Sequence, residues 1–224
     1  MAPPLKPAPG RTTAPARGAK THRPYAPRMA AEQRREQLLD AALSVIVEQG
    51  YARVSVEAVA RAAGVTRPVV YDHFRDLGDL LHVLIEREER YSLAQLEQVL
   101  PEDPDRQHPA EVITTSTRRF LDAVTTRPAT WTLILLPLQG TPEIVRQHVE
   151  SNRVALVARM EGVVRWALQR SGADEQAIDV ELAARAILGL MEDAGRMVLT
   201  DSERYSPDRY EQFVGWVMKL LWPA

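Results

Sequence analysis

An all-α fold of about nine helices is what this sequence predicts, on three observations. From Ala30 onward, apolar residues recur at the three- and four-residue spacing of helices. Ser, Thr, Asp, Gly and Pro stand where helices start and stop, and no stretch alternates apolar and polar residues as a strand would.

The elements follow in order. Residues 1 to 28 hold seven of the 16 prolines and almost no large apolar side chains. They cannot bury enough surface to offset the entropy of ordering, so a disordered basic arm is expected there. Leu39, Ala42, Leu43 and Ile46 then mark a first helix from Ala30 to its stop at Gly50. Ser55 caps a short second helix with Val56, Val59, Ala60 and Ala63 on one face, ended by Gly64. Thr66 is expected to cap a third, with Pro68 in its first turn and Val70 and Phe74 on its inner face. Asp76 caps a long fourth helix through Leu77, Leu80, Leu81, Leu84 and Ile85, past Tyr91 and Leu96, to the loop from Pro101 to Pro109. Further helices are expected at about 110–126, 129–138, 142–170, 175–200 and 207–222, separated by proline and glycine signals. The division expected is an arm at 1–28, a small three-helix domain at 29–76 and a larger helical domain at 77–224.

Composition removes several function classes. The 224 residues are 45% apolar and include no cysteine, so disulfides, thiolate metal sites and cysteine nucleophiles are excluded. The most apolar stretch, Trp131 to Leu138, is too short to span a bilayer, so no membrane partner and a cytoplasmic location are expected. The five histidines, at 22, 73, 82, 108 and 148, show no ligand spacing, and no nucleophile elbow, dinucleotide fingerprint, phosphate loop or zinc-protease motif is present. No catalytic residue, metal or cofactor is therefore expected. Glu88-Glu89 and Asp174-Glu175 read as solvated helix or cap residues. The net charge of −2 is unevenly spread, at +6 over residues 1–31, −2 over 32–85 and −6 beyond. A basic end on an otherwise acidic chain fits contact with a polyanion at that end.

The second and third helices supply the reason for such contact. Two short helices joined by a tight turn can place the second in the DNA major groove while the first packs across it. Ala60 is small where the two would cross, Gly64 permits a positive φ in the turn, and Val70 fills the space between them.

The run Gly50-Tyr51, Val54-Ser55-Val56, Val59-Ala60, Ala63-Gly64-Val65-Thr66 and Tyr71-Asp72-His73-Phe74 resembles the N-terminal signature of the TetR family of transcriptional regulators, over about residues 34 to 85. The resemblance implies a helix-turn-helix DNA-binding domain followed by a helical domain for ligand binding and dimerisation. Arg67 is then the candidate for base reading, its fork matching guanine O6 and N7, and Pro68 and Val69 can meet a thymine methyl. Tyr71 and His73 correspond to residues that reach phosphates in the family, while Ser55 and Thr66 set helix N-termini against the backbone. Tyr71 packed on the first helix and a solvated His73 are the plainer alternatives. Many members carry lysine where this chain has Leu77 and an acid where it has Gly78, so Arg75 is the candidate to replace the missing phosphate contact.

For the C-terminal part, spacing alone shows amphipathic helices. Small residues (Ala183, Ala184, Ala186, Gly189, Ala194, Gly195) line the eighth, and Phe213, Trp216, Val217, Leu220 and Leu221 recur along the ninth. The resemblance implies that these helices pair in a homodimer, through Ala186, Gly189, Phe213, Trp216, Val217 and Leu220, to bind a palindromic duplex operator. It also implies an effector site, for which Phe120, Trp131, Leu135, Met160, Trp166 and Met191 are candidate walls and a small apolar or aromatic molecule the candidate ligand. Methionine and tryptophan at helical spacing are equally the marks of plain core. The function expected is a repressor released from its operator by that effector. Alternatives are an architectural or weakly specific DNA-binding protein without an effector, and a helical protein that only sequesters a ligand.

Overall fold

The computed structural model describes residues 30–101, 103–136 and 140–221, and the arm expected at 1–28 lies outside them. Nine α-helices and three one-turn 3-10 helices are present among these residues, without a strand. They are α1 (Ala31–Gln49), α2 (Val56–Ala62), α3 (Arg67–Tyr71), α4 (Leu77–Glu97), α5 (Pro109–Thr126), α6 (Pro128–Leu135), α7 (Glu143–Ser171), α8 (Val180–Thr200) and α9 (Pro207–Leu221). None is long and apolar enough to cross a membrane.

Local chemistry accounts for the first turns and stops. The Ser55 hydroxyl accepts from the Ala58 N–H at 3.1 Å, and the Asp76 carboxylate accepts from the Asp79 N–H at 2.8 Å, each satisfying an orphan donor at a helix start. Gly64 adopts φ +67°, the Val65 N–H bonds to the Ala60 carbonyl and the Gly64 N–H to the Arg61 carbonyl. That pair of bonds closes α2 and turns the chain sharply into α3. Three expectations need correction. Thr66 precedes α3 but its hydroxyl makes no capping bond. The sixth helix stops at Leu135 rather than 138, because Leu136 precedes Pro137 and is driven out of the helical region, to ψ 137°. The eighth begins at Val180 rather than 175, since Asp179 caps the Leu182 N–H and residues Glu175–Ala177 form a separate 3-10 turn.

Two apolar cores result. The first gathers Leu38, Leu39, Ala42 and Ile46 of α1, Val59 and Ala60 of α2, Val70 and Phe74 at α3, and Leu80, Leu81, Leu84 and Ile85 of α4. The second gathers Phe120, Leu121 and Val124 of α5, Trp131 and Leu135 of α6, and Ala194 and Val198 of α8. Helix α6 serves both, because its Leu133 belongs to the first core. Val145 at the start of α7 joins the first core as well. Gly140, at φ +76° just before α7, lies against Ala52, where an added Cβ would come 3.0 Å from the backbone nitrogen.

A buried polar node joins α1, α4 and α6. Arg87 donates to Glu36 at 2.9 Å, to Asp40 at 2.8 Å and to Glu88 at 2.8 Å. The other Glu88 oxygen accepts the Thr130 hydroxyl at 2.5 Å. Glu88 is fully buried, not the solvated helix residue that its charge suggests. The desolvated carboxylate is stabilised by an adjacent guanidinium and a hydroxyl donor, the pairing that burial of a charge requires.

Candidate nucleic-acid interface

Helix α3 lies with one face in the first core and the other open. Val70 and Phe74 are buried, whereas Thr66, Arg67, Pro68 and Tyr71 are exposed and Val69 and His73 half-buried. Tyr71 is 49% exposed. Ser55 is exposed at the start of α2, on the chain segment leading to the same turn. The inward packing of Val70 and Phe74 leaves Thr66, Arg67, Pro68 and Tyr71 outward. Among the described residues, no ion pair or hydrogen bond engages the Arg67 guanidinium, so its fork is available for a bidentate acceptor.

Arg75 is placed differently from Arg67. Its side chain is 86% exposed, yet it pairs with Asp79 at 3.2 Å, and its backbone N–H donates to the same carboxylate at 3.0 Å. The backbone bond first, then the side-chain bond, hold the Asp79 carboxyl below the usual carboxylate range. The folded state therefore favours the ionised form, and this tie is complete above the ordinary carboxylate range and loosens only as pH falls through the lowered value. Arg75 thus reaches a phosphate only by sharing or leaving Asp79.

Two residues on α1 escaped the sequence reading. Arg35 donates to the His73 carbonyl at 2.9 Å, with its guanidinium carbon 4.6 Å from the Phe74 ring centroid. Gln37 donates to the Ala63 carbonyl at 3.0 Å. No local signal marks them, because their partners are 38 and 26 residues away in sequence.

The candidate effector residues divide. Phe120, Trp131, Leu135 and Met191 meet in the second core, with Phe120 and Trp131 edge to face at 5.3 Å. The indole N–H of Trp131 donates to Gln95 at 3.0 Å, and Thr117 lies against the Met191 sulfur. Met160 and Trp166 are half-buried on α7 and do not belong to that cluster. Trp166 instead donates to Asp105 in the α4–α5 connection at 2.7 Å. Glu192 pairs with Arg153 of α7 at 2.6 Å, an interhelical salt bridge.

On α8 and α9, Ala186, Phe213, Trp216 and Leu220 are exposed, and Gly189 and Val217 half-buried. Leu182 and Leu190, which the sequence reading passed over, extend the same open α8 face at 64% and 73% exposure. Of the other small residues of α8, Ala183 is half-buried, whereas Ala184, Ala194 and Gly195 are buried in the chain's own interior, and a Cβ on Gly195 would lie 2.6 Å from Leu135. Helix α9 is fastened from behind to α5, where Arg118 bridges Asp208, Glu211 and Asp122.

Comparison with known proteins places this arrangement. Residues 38–84 match the family model of bacterial regulatory proteins of the tetR family. Over 59 residues the chain is 41% identical to the HTH-type transcriptional regulator AcrR of Shigella flexneri, a match covering 26% of this chain and 27% of that one. The chain thus matches about a quarter of that relative's length. A fatty acid metabolism regulator protein of Bacillus subtilis is 22% identical over 174 residues, 75% of this chain and 85% of its own. In fold, the chain superposes on the crystal structure of the regulator FadR from Bacillus subtilis in complex with stearoyl-CoA. The TM-score is 0.62 at 20% identity, over 82% of this chain and 96% of that one.

Proposed function

This chain belongs to the TetR family of bacterial regulatory proteins, and from that premise we propose that it is a dimeric, ligand-responsive transcriptional repressor acting in the cytoplasm. The observation that carries the reading is the open face of α3, where Arg67 stands unengaged beside Thr66, Pro68 and Tyr71 on a segment fixed by the Gly64 turn. In the major groove Arg67 reads guanine, Pro68 and Val69 meet thymine methyls, and Tyr71, His73, Ser55 and Thr66 hold the phosphate backbone. The basic arm at 1–28 adds charge that follows the same polyanion.

A single α3 covers too few base pairs for selectivity, so two copies act together on half-sites about 34 Å apart or a multiple of that distance. The open apolar face of α8 and α9 supports this pairing, since Leu182, Ala186, Leu190, Phe213, Trp216 and Leu220 are left exposed among the described residues. Antiparallel helices of two copies form a four-helix bundle there.

Release follows from the sharing of α6 by both cores. An apolar effector that enters among Phe120, Trp131, Leu135 and Met191 displaces α6, and α6 carries Leu133 and Thr130 into the packing of the DNA-binding helices. The effector thereby favours dimers whose two α3 helices are out of register with the groove. The Bacillus subtilis FadR complex supports a ligand with an apolar chain, since that protein holds stearoyl-CoA in the same fold.

Selection from random-sequence duplexes by the full chain tests the reading. A palindromic consensus with half-sites spaced by whole helical turns is expected. Retention of duplexes without any consensus would favour the architectural alternative, and no retention would leave ligand sequestration.

A further inference from the structure

We propose that Arg35 and Gln37 are positioning residues that set the angle of α3 in the groove from behind, without touching DNA. Helix α3 spans five residues, Arg67–Tyr71, too few to hold a direction of its own. Its apolar anchors, Val70 and Phe74, fix depth, but non-directional contacts leave rotation about the helix axis weakly determined. Beyond the Gly64 turn, direction comes from two hydrogen bonds sent by α1. Arg35 holds the His73 carbonyl just past the end of α3 and lies over the Phe74 ring. Gln37 holds the Ala63 carbonyl at the end of α2. Arg34 in turn donates to the Gln37 side-chain oxygen at 2.5 Å, which fixes the amide so that its nitrogen faces Ala63.

The two bonds grip the helix-turn-helix at both ends of the stretch that carries Arg67. Charge-assisted and planar, the Arg35 contact meets a carbonyl and a ring at once, a geometry that a lysine ammonium does not reproduce. A bidentate arginine–guanine contact tolerates little misplacement, so loss of this support costs discrimination between sequences rather than attraction to phosphate.

This inference rests on the reading of α3 as the DNA-recognition helix. The full chain and its Arg35→Met, Arg35→Lys and Gln37→Met variants are titrated, over a range of salt, with a duplex of the selected consensus and with a scrambled duplex of the same composition. Arg35→Met is expected to weaken the consensus duplex about tenfold, the scale of one hydrogen bond from a charged group, with the scrambled duplex and the salt slope unchanged. Arg35→Lys is expected to behave like Arg35→Met. Gln37→Met, which keeps a good helix former and serves if Arg35→Met does not fold, is expected to lose about threefold on the consensus duplex alone. Equal losses on both duplexes with a salt slope shallower by about one, or rescue by lysine, would make Arg35 a phosphate contact and overturn the proposal. Unchanged binding with a lower melting temperature would reduce these residues to fold support and overturn it too. A wild-type chain that binds both duplexes alike overturns the DNA reading itself, and this one with it.

Discussion

Arg87→Ala is expected to destabilise the fold by about 3–5 kcal/mol, the cost of breaking a buried ion pair from one side. The physical reason is Glu88, which stays buried with, among the described residues, the Thr130 hydroxyl alone to meet its charge. Glu36 and Asp40, at the α1 end of the node, lose their shared partner as well, but their greater exposure lets water replace it. In thermal unfolding of the full chain the melting temperature should fall by roughly 10 °C. The double variant Arg87→Met, Glu88→Gln should recover much of this, because glutamine is neutral and still accepts from Thr130. A single variant that melts within about 2 °C of the wild type would show that the node contributes little. The node matters beyond stability because it ties α1, which carries Arg35 and Gln37, to α6 at the edge of the second core.

The second large effect concerns assembly. Leu190→Glu combined with Trp216→Glu places a carboxylate at two of the most exposed apolar positions of α8 and α9. If two copies pair through this face, each carboxylate is buried against apolar surface without a cation, at a cost of several kcal/mol each. The sedimenting mass should halve, and affinity for a palindromic duplex should fall roughly a hundredfold or more as the advantage of linked half-sites is lost. Melting of the isolated subunit should change little, since both positions already face outward. A variant that retains the wild-type mass would move the dimer contact elsewhere on the chain.

How much of this was legible in the sequence depends on how local the signal is. Ser55, Gly64 and Asp76 act on backbone groups within three or four residues, and their caps and turn could be read directly from the chain. The inward choice of Val70 and Phe74 followed from helical spacing, whereas Arg67 was singled out by the family resemblance. Pro137 was equally local: its effect on Leu136 ends the sixth helix early, a signal that the apolar run through Leu138 concealed. The burial of Glu88 was not legible, because it depends on Arg87 gathering two α1 carboxylates 47 and 51 residues away and on a hydroxyl from α6. The same distance hid Arg35 and Gln37. On α8 the small residues formed a visible stripe, but spacing alone did not separate Gly195, pressed against Leu135, from Ala186, which faces out. Leu182 and Leu190 went unnoticed because an apolar residue on an amphipathic helix is ordinarily assigned to the core.

The central claim is that α3 reads base sequence through Arg67, and the most direct measurement is the affinity of Arg67→Ala for the consensus duplex and for a scrambled one. A loss of about 1–3 kcal/mol on the consensus duplex, relaxed preference at the guanine that Arg67 meets, and near-equal binding of the scrambled duplex are expected. Equal weakening on both duplexes, or none on either, would contradict it.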